Sequence, residues 1–379
     1  MKTTGHRRIW GLSLVFLLTL VAAACAPTAA PTPPTPISTA VKPPPAAATP
    51  TAAPAKPTQA APTPTPKPVT LKFGTTGSMS YVGIYIAMAK GFFKEQGINV
   101  EVINIRSVAE LVAPLGTGQL DFVGMPVSTA LLAAVDRGIE LKVVADGGQQ
   151  RANWGSSWMI LRKDLADSGQ VKTPADLKGM KIGIASQGSY LDMFARLVLE
   201  EGRLKPEDAE LVVVPHADQP PALANKAIAA GTTVEPFVSI AVQQGVAVRW
   251  RPDYQYFDGN SQSTFVIFGP ELLKDKDVAR RWMIAYLKGA RVFLDAFEKN
   301  IGREEVINIL INQTTVKDRK MYDLMGIAYP EPNGNLDRKS LGKQYKWYVD
   351  NGIYTGKLTF DDLVDPSFAE YATQQLGKR

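Results

Sequence analysis

Two successive series of short β-rich runs, each alternating with helical runs, constrain the fold of this chain more than any other feature. The first series opens with VTLKFG at 69–74, followed by a predicted helix over 81–96 in which apolar residues recur at helical spacing. It continues with strands predicted at 98–105, 120–124 and 141–146, and with helices predicted at 108–115 and 128–136. Such alternation indicates βαβ units and a largely parallel sheet.

The second series follows the same order and predicts a second α/β lobe. It contains the strands KIGIA at 181–185 and ELVVV at 210–214, with a helix over 191–201 between them. A further strand is predicted at 263–269, and only helical patterns follow, including 278–298 and 341–351. The region after residue 68 is longer than a single core usually allows. We therefore predict an α/β protein whose first lobe comprises 69–157 plus 266–379 and whose second lobe comprises 158–265.

An internal similarity links the two lobes. LKFGTTGSMSYVGIYIA in the first lobe and MKIGIASQGSYLDMFAR in the second both run strand, Gly-Ser, Tyr, helix. Ligands of open α/β sheets bind beyond the carboxyl ends of the strands, where these turns are expected. Two such turns facing each other predict a cleft between the lobes. The alternative is that Gly-Ser serves only as turn and helix-cap chemistry.

The amino terminus has the layout of a secretory signal, predicted over 1–24. MKTTGHRR is followed by roughly 14 apolar residues, which is fewer than the roughly 20 that a membrane span needs, and then by small residues. Cys25, the only cysteine, comes next. This arrangement resembles the bacterial lipoprotein signal, except that Ala22 stands where that signal usually has Leu. The resemblance implies lipid attachment at Cys25; the alternative is cleavage nearby that leaves a free thiol. Both predict export.

Residues 25–68 are predicted to be a disordered tether. Positions 26–68 contain no acidic and no aromatic residue and are rich in Pro, Thr and Ala, so they offer almost nothing to bury in a core. Proline favours polyproline II, and at ~3.1 Å per residue the tether can reach on the order of 100 Å. The folded region can therefore stand well away from a membrane.

The excess positive charge lies outside the predicted lobes. The chain has 42 Lys and Arg against 36 Asp and Glu, a net charge of +6. Six basic residues and no acidic residue precede position 69: Lys2, Arg7, Arg8, Lys42, Lys56 and Lys67. The lobes are therefore neutral in sum, and we predict no nucleic-acid partner, because such proteins carry a basic surface.

Sequence signals for catalysis are weak. His216 is the only histidine after the predicted signal, and the chain lacks Cys-x-x-Cys, His-Glu-x-x-His, a phosphate loop and a Gly-x-Ser-x-Gly elbow. GTGQLD at 116–121 lacks the third glycine of a dinucleotide fingerprint and precedes a strand. We predict no enzyme activity, no catalytic residue, no metal and no cofactor, and we interpret His216 as a cap or cleft-rim residue.

Five segments, in the same order, resemble the substrate-binding proteins of ABC importers for nitrate, sulfonates, taurine and pyrimidine precursors of thiamin. They are AKGFFKEQGINVEV, GTGQLDFVGMPVSTALLAAVDRGIELKVVAD, TPADLKGMKIGIASQGS, VEPFVSIAVQQG and DDLVDPSFAEYA, and together they extend over nearly the whole chain after the tether. The chain departs from the family at Ala229, where the family often has Asp.

The resemblance implies a two-lobed periplasmic-binding-protein fold of type II with a hinged cleft. It also implies a monomer that binds a small-molecule solute, such as a sulfonate, a taurine-like compound, a pyrimidine or an aromatic acid. The implied partners are an ABC permease and its ATPase. The implied location is the periplasm or the outer face of the cytoplasmic membrane, with a lipid anchor. Two alternatives stay open: a ligand-sensing adaptor for a signalling partner, and a pyrimidine-synthase-like enzyme.

Hydroxyl side chains at three predicted helix starts are the first candidate ligand contacts. They are Ser78, Ser128 with Thr129, and Ser189. A helix N-terminus has unpaired N–H groups and a partial positive charge, so it can hold carboxylate, sulfonate or nitrate oxygens without a lysine. The alternative is that each serine only caps its own helix.

Aromatic and acidic side chains complete the predicted ligand site. Tyr81 and Tyr190 follow the two Gly-Ser turns, and Trp154 precedes the predicted passage to the second lobe. They are candidates to pack against a planar or apolar ligand, or alternatively belong to the core. Glu235 is a candidate partner for an amine or ring N–H, which would disfavour nitrate, or alternatively complements a helix dipole.

Overall fold

Ten strands form two five-stranded sheets in residues 67–379, the part of the chain that the computed structural model describes. The strands are β1 Val69–Thr75, β2 Ile98–Asn104, β3 Phe122–Met125, β4 Lys142–Arg151, β5 Ser157–Arg162, β6 Lys181–Ile184, β7 Glu210–Val213, β8 Ala230–Val234, β9 Ala247–Pro252 and β10 Asn260–Phe268. The predicted signal peptide 1–24, Cys25 and the tether up to residue 66 lie outside the described residues.

Fifteen α-helices accompany these strands in the described region. They are α1 Val82–Ala89, α2 Phe92–Glu95, α3 Val108–Gly116, α4 Thr129–Asp136, α5 Lys163–Asp167, α6 Tyr190–Glu201, α7 Gln219–Ala224, α8 Phe237–Gln243, α9 Pro270–Lys274, α10 Lys276–Glu298, α11 Arg303–Gln313, α12 Met321–Leu324, α13 Arg338–Asp350, α14 Phe360–Leu363 and α15 Ser367–Leu376. Between residues 67 and 379, none of them combines the length and the apolar character that a membrane crossing requires.

Both sheets have the same strand pattern. The first has the order β2-β1-β3-β10-β4 and the second the order β7-β6-β8-β5-β9. In each sheet one strand, β10 or β5, pairs antiparallel with both of its neighbours, while the other four strands share one direction. The predicted α/β class, with two lobes and largely parallel sheets, is confirmed.

The sheets define the two lobes. The chain leaves the first sheet at Arg151, enters the second at Ser157, leaves it at Pro252 and returns at Asn260. Because β10 belongs to the first sheet from its start, we propose 69–151 plus 260–379 as the first lobe and 157–252 as the second, in place of boundaries at 157 and 265. Near the second crossing, α13 packs against both β10 and α6.

Aromatic packing holds the first lobe together. Phe73 of β1 stacks on Phe122 of β3 with ring centroids 5.0 Å apart, and Trp282 of α10 meets Phe122 edge-on at 4.7 Å. The 23-residue α10 buries Trp282, Tyr286 and Phe293, and the first two contact strands of the sheet. An amphipathic helix of this length therefore covers one face of the first sheet.

One predicted helix is divided. The sequence pattern predicts a single helix over 81–96, but α1 ends at Ala89 and α2 begins at Phe92. Gly91 lies between them with a φ of 77°, in the left-handed region, which interrupts the helical backbone. Apolar periodicity persists across the break, so spacing alone predicted a continuous helix.

Candidate functional site

A cavity lies between the two lobes, at the carboxyl ends of the parallel strands. It encloses about 470 Å³ of space not occupied by atoms, part of it open to solvent. The first lobe lines it with Thr76, Ser78, Tyr81, Val108, Gly124, Pro126, Ser263 and Thr264, and the second with Ser157, Ala185, Ser186, Ser189, Tyr190, Leu191, His216 and Val234. The segments after β1, β3 and β6 and the end of β8 thus converge where ligands of open α/β sheets bind.

Hydroxyl groups dominate the polar lining. Nine of the sixteen described lining residues are Ser, Thr or Tyr, and none is Asp, Glu, Lys or Arg. Hydroxyls both donate and accept hydrogen bonds, so they can bind neutral polar groups as well as the oxygens of an anion. The cavity therefore suits a ligand end that is uncharged or carries delocalised negative charge.

The two Gly-Ser turns meet at this cavity. Gly77 and Gly188 have φ values of 76° and 63°, in the left-handed region that glycine adopts readily. Ser78 accepts a hydrogen bond from the backbone N–H of Ser80 at 3.2 Å, and Ser189 caps α6 by accepting one from Asp192 at 3.3 Å. Both serines cap a helix and also line the cavity, so the two readings of these residues are compatible.

Tyr81 and Tyr190 extend the walls of the cavity. The Tyr81 ring packs edge-on against Phe73, and the Tyr190 ring stacks on Phe257. The Tyr190 hydroxyl donates to the Oδ2 of Asp253 at 2.8 Å. Burial raises the pKa of both tyrosines well above the ordinary value, so both remain protonated. They offer neutral aromatic surface to a ligand.

Ser128 and Thr129 contact the opposite lobe and do not line the cavity. Ser128 caps α4 by accepting from the N–H of Leu131 at 3.3 Å, and it forms a β-bridge with Ser189. The N–H of Thr129 donates to the carbonyl of Gly188 at 3.0 Å. These contacts join the lobes beside the cavity.

Trp154 also lies outside the cavity lining. Its indole meets the rings of Phe293 and Tyr329 edge-on, with centroids 6.0 and 5.4 Å away. Both partners belong to the helical region after β10. Trp154 therefore has the packing role that was its alternative interpretation. It is not among the described residues that line the cavity, so its ligand contact stays a prediction.

Glu235 is completely buried, and its carboxylate is occupied by protein groups. It accepts from the N–H and hydroxyl of Ser239, both at 2.9 Å, from the Arg249 guanidinium at 2.9 Å, and from the N–H of Gly326 at 3.4 Å. Burial raises the pKa of Glu235, while Arg249 and Ser239 oppose that shift. The carboxylate does not line the cavity, which removes the basis for the sequence argument against nitrate.

The lobes touch on several sides of the cavity. Besides the contacts of Thr129 and Glu235, the Arg249 guanidinium donates to the carbonyl of Leu324 at 3.0 Å. Arg106 and Asp218 form a further ion pair across the lobes at 3.3 Å. The structure therefore shows the lobes closed over the cavity.

His216 lies at the cavity, as the cleft-rim interpretation predicted. Its Nδ1 pairs with the Thr233 hydroxyl at 2.9 Å, and its ring is nearly parallel to the Phe237 ring, with centroids 5.9 Å apart. Burial lowers the pKa of His216 to about 4. The imidazole is therefore neutral at pH 7.

Sequence reasoning missed the lining residues of β10. Ser263 and Thr264 belong to a run of five polar residues, Asn260 to Thr264, that opens a strand whose remainder is entirely apolar. Four of the five are buried. A polar run in a strand that is otherwise suited to the core was the available signal, because buried polar groups need partners.

Comparison with known sequences identifies one family. The profile of the family described as NMT1/THI5 like matches residues 78–297. The 4-amino-5-hydroxymethyl-2-methylpyrimidine phosphate synthase THI11 of Saccharomyces cerevisiae is 28% identical over 132 residues. That match covers 34% of this chain and only 35% of the yeast protein's length.

Solved structures share the fold at low sequence identity. The ligand-binding component of an ABC-type import system from Staphylococcus aureus superposes with a TM-score of 0.66 at 15% identity, covering 80% of this chain and 98% of that one. The nitrate-binding protein of Synechocystis PCC 6803 gives 0.64 at 18%, covering 83% and 90%. The aliphatic sulphonate binding protein of Escherichia coli gives 0.60 at 16%, covering 80% and 100%.

Proposed function

The chain belongs to the NMT1/THI5-like family, and from that premise we propose that it is the extracytoplasmic solute-binding component of an ABC importer. In this role it binds a small organic solute between its lobes and delivers it to a membrane permease driven by an ATPase. In this proposal the protein acts as a monomer and is held at the membrane by a lipid attached to Cys25.

The observation that carries this proposal is a hydroxyl-rich cavity lined in equal parts by two lobes. A ligand in such a cavity contacts both lobes only when they are closed. It therefore shifts the population towards the closed form, which is the form a permease can distinguish from the empty protein.

The cavity lining narrows the proposed solute. Ser189 and Tyr190 lie at the start of the 12-residue α6, so its N-terminus adds a partial positive charge to a lining without basic side chains. A sulfonate, a taurine-like compound, an aromatic acid or a pyrimidine presents oxygen or nitrogen atoms that such a lining can bind. These compounds form a panel of candidate ligands. Nitrate is added to the panel because the Glu235 carboxylate does not line the cavity.

Ligand binding can be tested with a cavity-filling variant. Ser186→Leu places an apolar side chain in the cavity and removes only a weak 3.5 Å contact to the Gln187 carbonyl. We expect Kd to rise at least tenfold for whichever member of the panel binds, measured by calorimetry. The control Ser168→Leu changes an exposed serine after α5 and should leave Kd unchanged.

Binding measurements across this panel of candidate ligands test the proposed function. Mass spectrometry of molecules that co-purify with the protein adds ligands that the panel omits. If no panel member and no co-purifying molecule raises the melting temperature or makes the protein more compact in small-angle scattering, the protein is not a solute-binding component.

A second function is suggested by the yeast synthase that matches part of the chain. That similarity covers about a third of each protein. The cavity offers one neutral imidazole, of His216, and hydroxyls, and its described lining contains no carboxylate or amine to move protons. Conversion of a bound pyrimidine or of any panel member, followed by chromatography, would establish an enzyme in place of a binding protein.

A further inference from the structure

A second space, the outer groove, adjoins the cavity between the lobes. It is bounded by Thr76, Ile105 and Val316 of the first lobe and by Phe237 and Ile240 of the second, and it encloses about 1160 Å³, largely open to solvent. Half of its fourteen lining residues are apolar. Phe237 and Ile240 are only half-buried, so the groove presents apolar surface that an occupant can cover.

The groove and the cavity are neighbouring parts of one cleft. Thr76 lines both. His216 lines the cavity, the next residue, Ala217, lines the groove, and the His216 ring stacks on Phe237, which also lines the groove. The stacked His216 and Phe237 rings therefore stand at the boundary between a hydroxyl-rich inner space and an apolar outer space.

The charges around the groove balance. Lys317 and Asp318 are the charged side chains among its described lining residues, and they have opposite signs. Arg106 and Asp218, which follow Ile105 and Ala217, pair with each other. An apolar, uncharged occupant matches this surface better than a second charged group.

From this juxtaposition we propose that the ligand is an elongated amphiphile. Its polar end lies in the cavity, and its apolar chain passes His216 and Phe237 and lies in the outer groove. This inference rests on the proposed solute-binding function and adds the shape and polarity of the solute. Because both lobes form the groove, the apolar chain of the ligand also contributes to closure of the lobes.

A chain-length series tests the inference. Straight-chain alkanesulfonates and alkanoates with two, four, six and eight carbons are titrated into the protein by calorimetry. A methylene that enters an apolar groove strengthens binding up to about fourfold. We expect affinity to rise two- to fourfold per methylene across at least part of the series.

Two variants of α8 test whether the outer groove causes the dependence of affinity on ligand chain length. Ile240→Asn makes the groove polar, whereas Val242→Asn makes the same kind of change at a half-buried residue of α8 that does not line the groove. We expect Ile240→Asn to weaken the eight-carbon ligand at least tenfold and the two-carbon ligand less than twofold, with Val242→Asn close to wild type for both. Thermal melting of each variant establishes that it is folded.

The outcomes separate this inference from the proposed function. Affinity that is independent of chain length, or equal losses in the two variants, overturns the amphiphile while leaving a solute-binding protein. Tight binding of a compact panel member that Ile240→Asn leaves unchanged does the same. If neither the series nor the panel binds at all, both the inference and the proposed function fail.

Discussion

Tyr190 connects the cavity to a buried carboxyl group at the crossing between the lobes. Asp253 is fully buried just after β9, and its Oδ2 accepts from the Tyr190 hydroxyl, while its Oδ1 has no partner in the described structure. Burial raises the pKa of Asp253 to about 8. The group is therefore largely protonated at pH 7, which avoids an uncompensated charge next to the cavity.

Replacing Asp253 by Asn tests this protonation. The folded pKa of about 8 exceeds the ordinary value of 3.8, so the stability that Asp253 contributes is complete below about pH 4 and is lost as pH rises through 8. Asn does not titrate. We expect the free energy of unfolding of wild type, relative to Asp253→Asn, to fall by on the order of 4 kcal/mol between pH 4.5 and 8.

Urea denaturation at several pH values measures this difference. Asp146, whose pKa is raised by burial to about 7, titrates in the same range but is present in both proteins, so its effect cancels. A difference that stays constant with pH would show that Asp253 is ionised in the folded protein.

At the scale of elements, the buried Glu235 ties β8, α8 and β9 to the loop after α12. Arg249 of β9 bonds both to Glu235 and to the carbonyl of Leu324, and the N–H of Gly326 bonds to Glu235. Ser239 on α8 supplies the remaining hydrogen bonds. Three elements of the second lobe are thereby joined to a segment of the first lobe in the closed form.

Arg249→Met should destabilise the closed protein. It removes the donor to Leu324 and leaves the Glu235 carboxylate without its cationic partner, so we expect a loss of about 2 kcal/mol or more in the free energy of unfolding. Adding Glu235→Gln should recover part of that loss, because the remaining buried group is then neutral.

Denaturation of the two single variants and the double variant gives the coupling energy. Lys163→Met, which breaks an exposed ion pair with Asp167, is the matched control and should cost less than about 1 kcal/mol. Strictly additive effects at Glu235 and Arg249 would contradict the coupling.

For the whole molecule, the distribution of charge bears on how the proposed solute-binding component would be held at a membrane. The lobes carry no net charge, so electrostatic attraction of the folded part to an anionic membrane is not expected. In the proposed function, attachment then depends on the lipid at Cys25, and the predicted tether would set how far the lobes reach.

Cys25→Ser tests the anchor. We expect loss of the protein from the membrane fraction or accumulation of an unprocessed form, measured by fractionation and by intact mass. Thr35→Ser, in the tether, should behave like wild type. Unchanged membrane retention together with unchanged cleavage in Cys25→Ser would refute lipid attachment.

Features that depend on neighbours along the chain could be predicted from the sequence alone. Apolar periodicity predicted the two α/β lobes, and the Gly-Ser turns predicted a cleft at the ends of the strands, because turn and cap chemistry is local. The same local pattern missed the break at Gly91, since spacing does not report the sign of φ at a glycine.

Which side chains face the cavity depends on contacts between segments that are distant along the chain. Ser78, Tyr81, Ser189 and Tyr190 line it, whereas Glu235 bonds to Gly326, 91 residues away. The four lining residues lie in or just after the two Gly-Ser turns that follow β1 and β6, so local turn chemistry and the sheet together place them. The surroundings of Glu235 are formed by segments distant in the chain, and a carboxylate that must be buried takes the hydrogen-bond donors that folding brings to it.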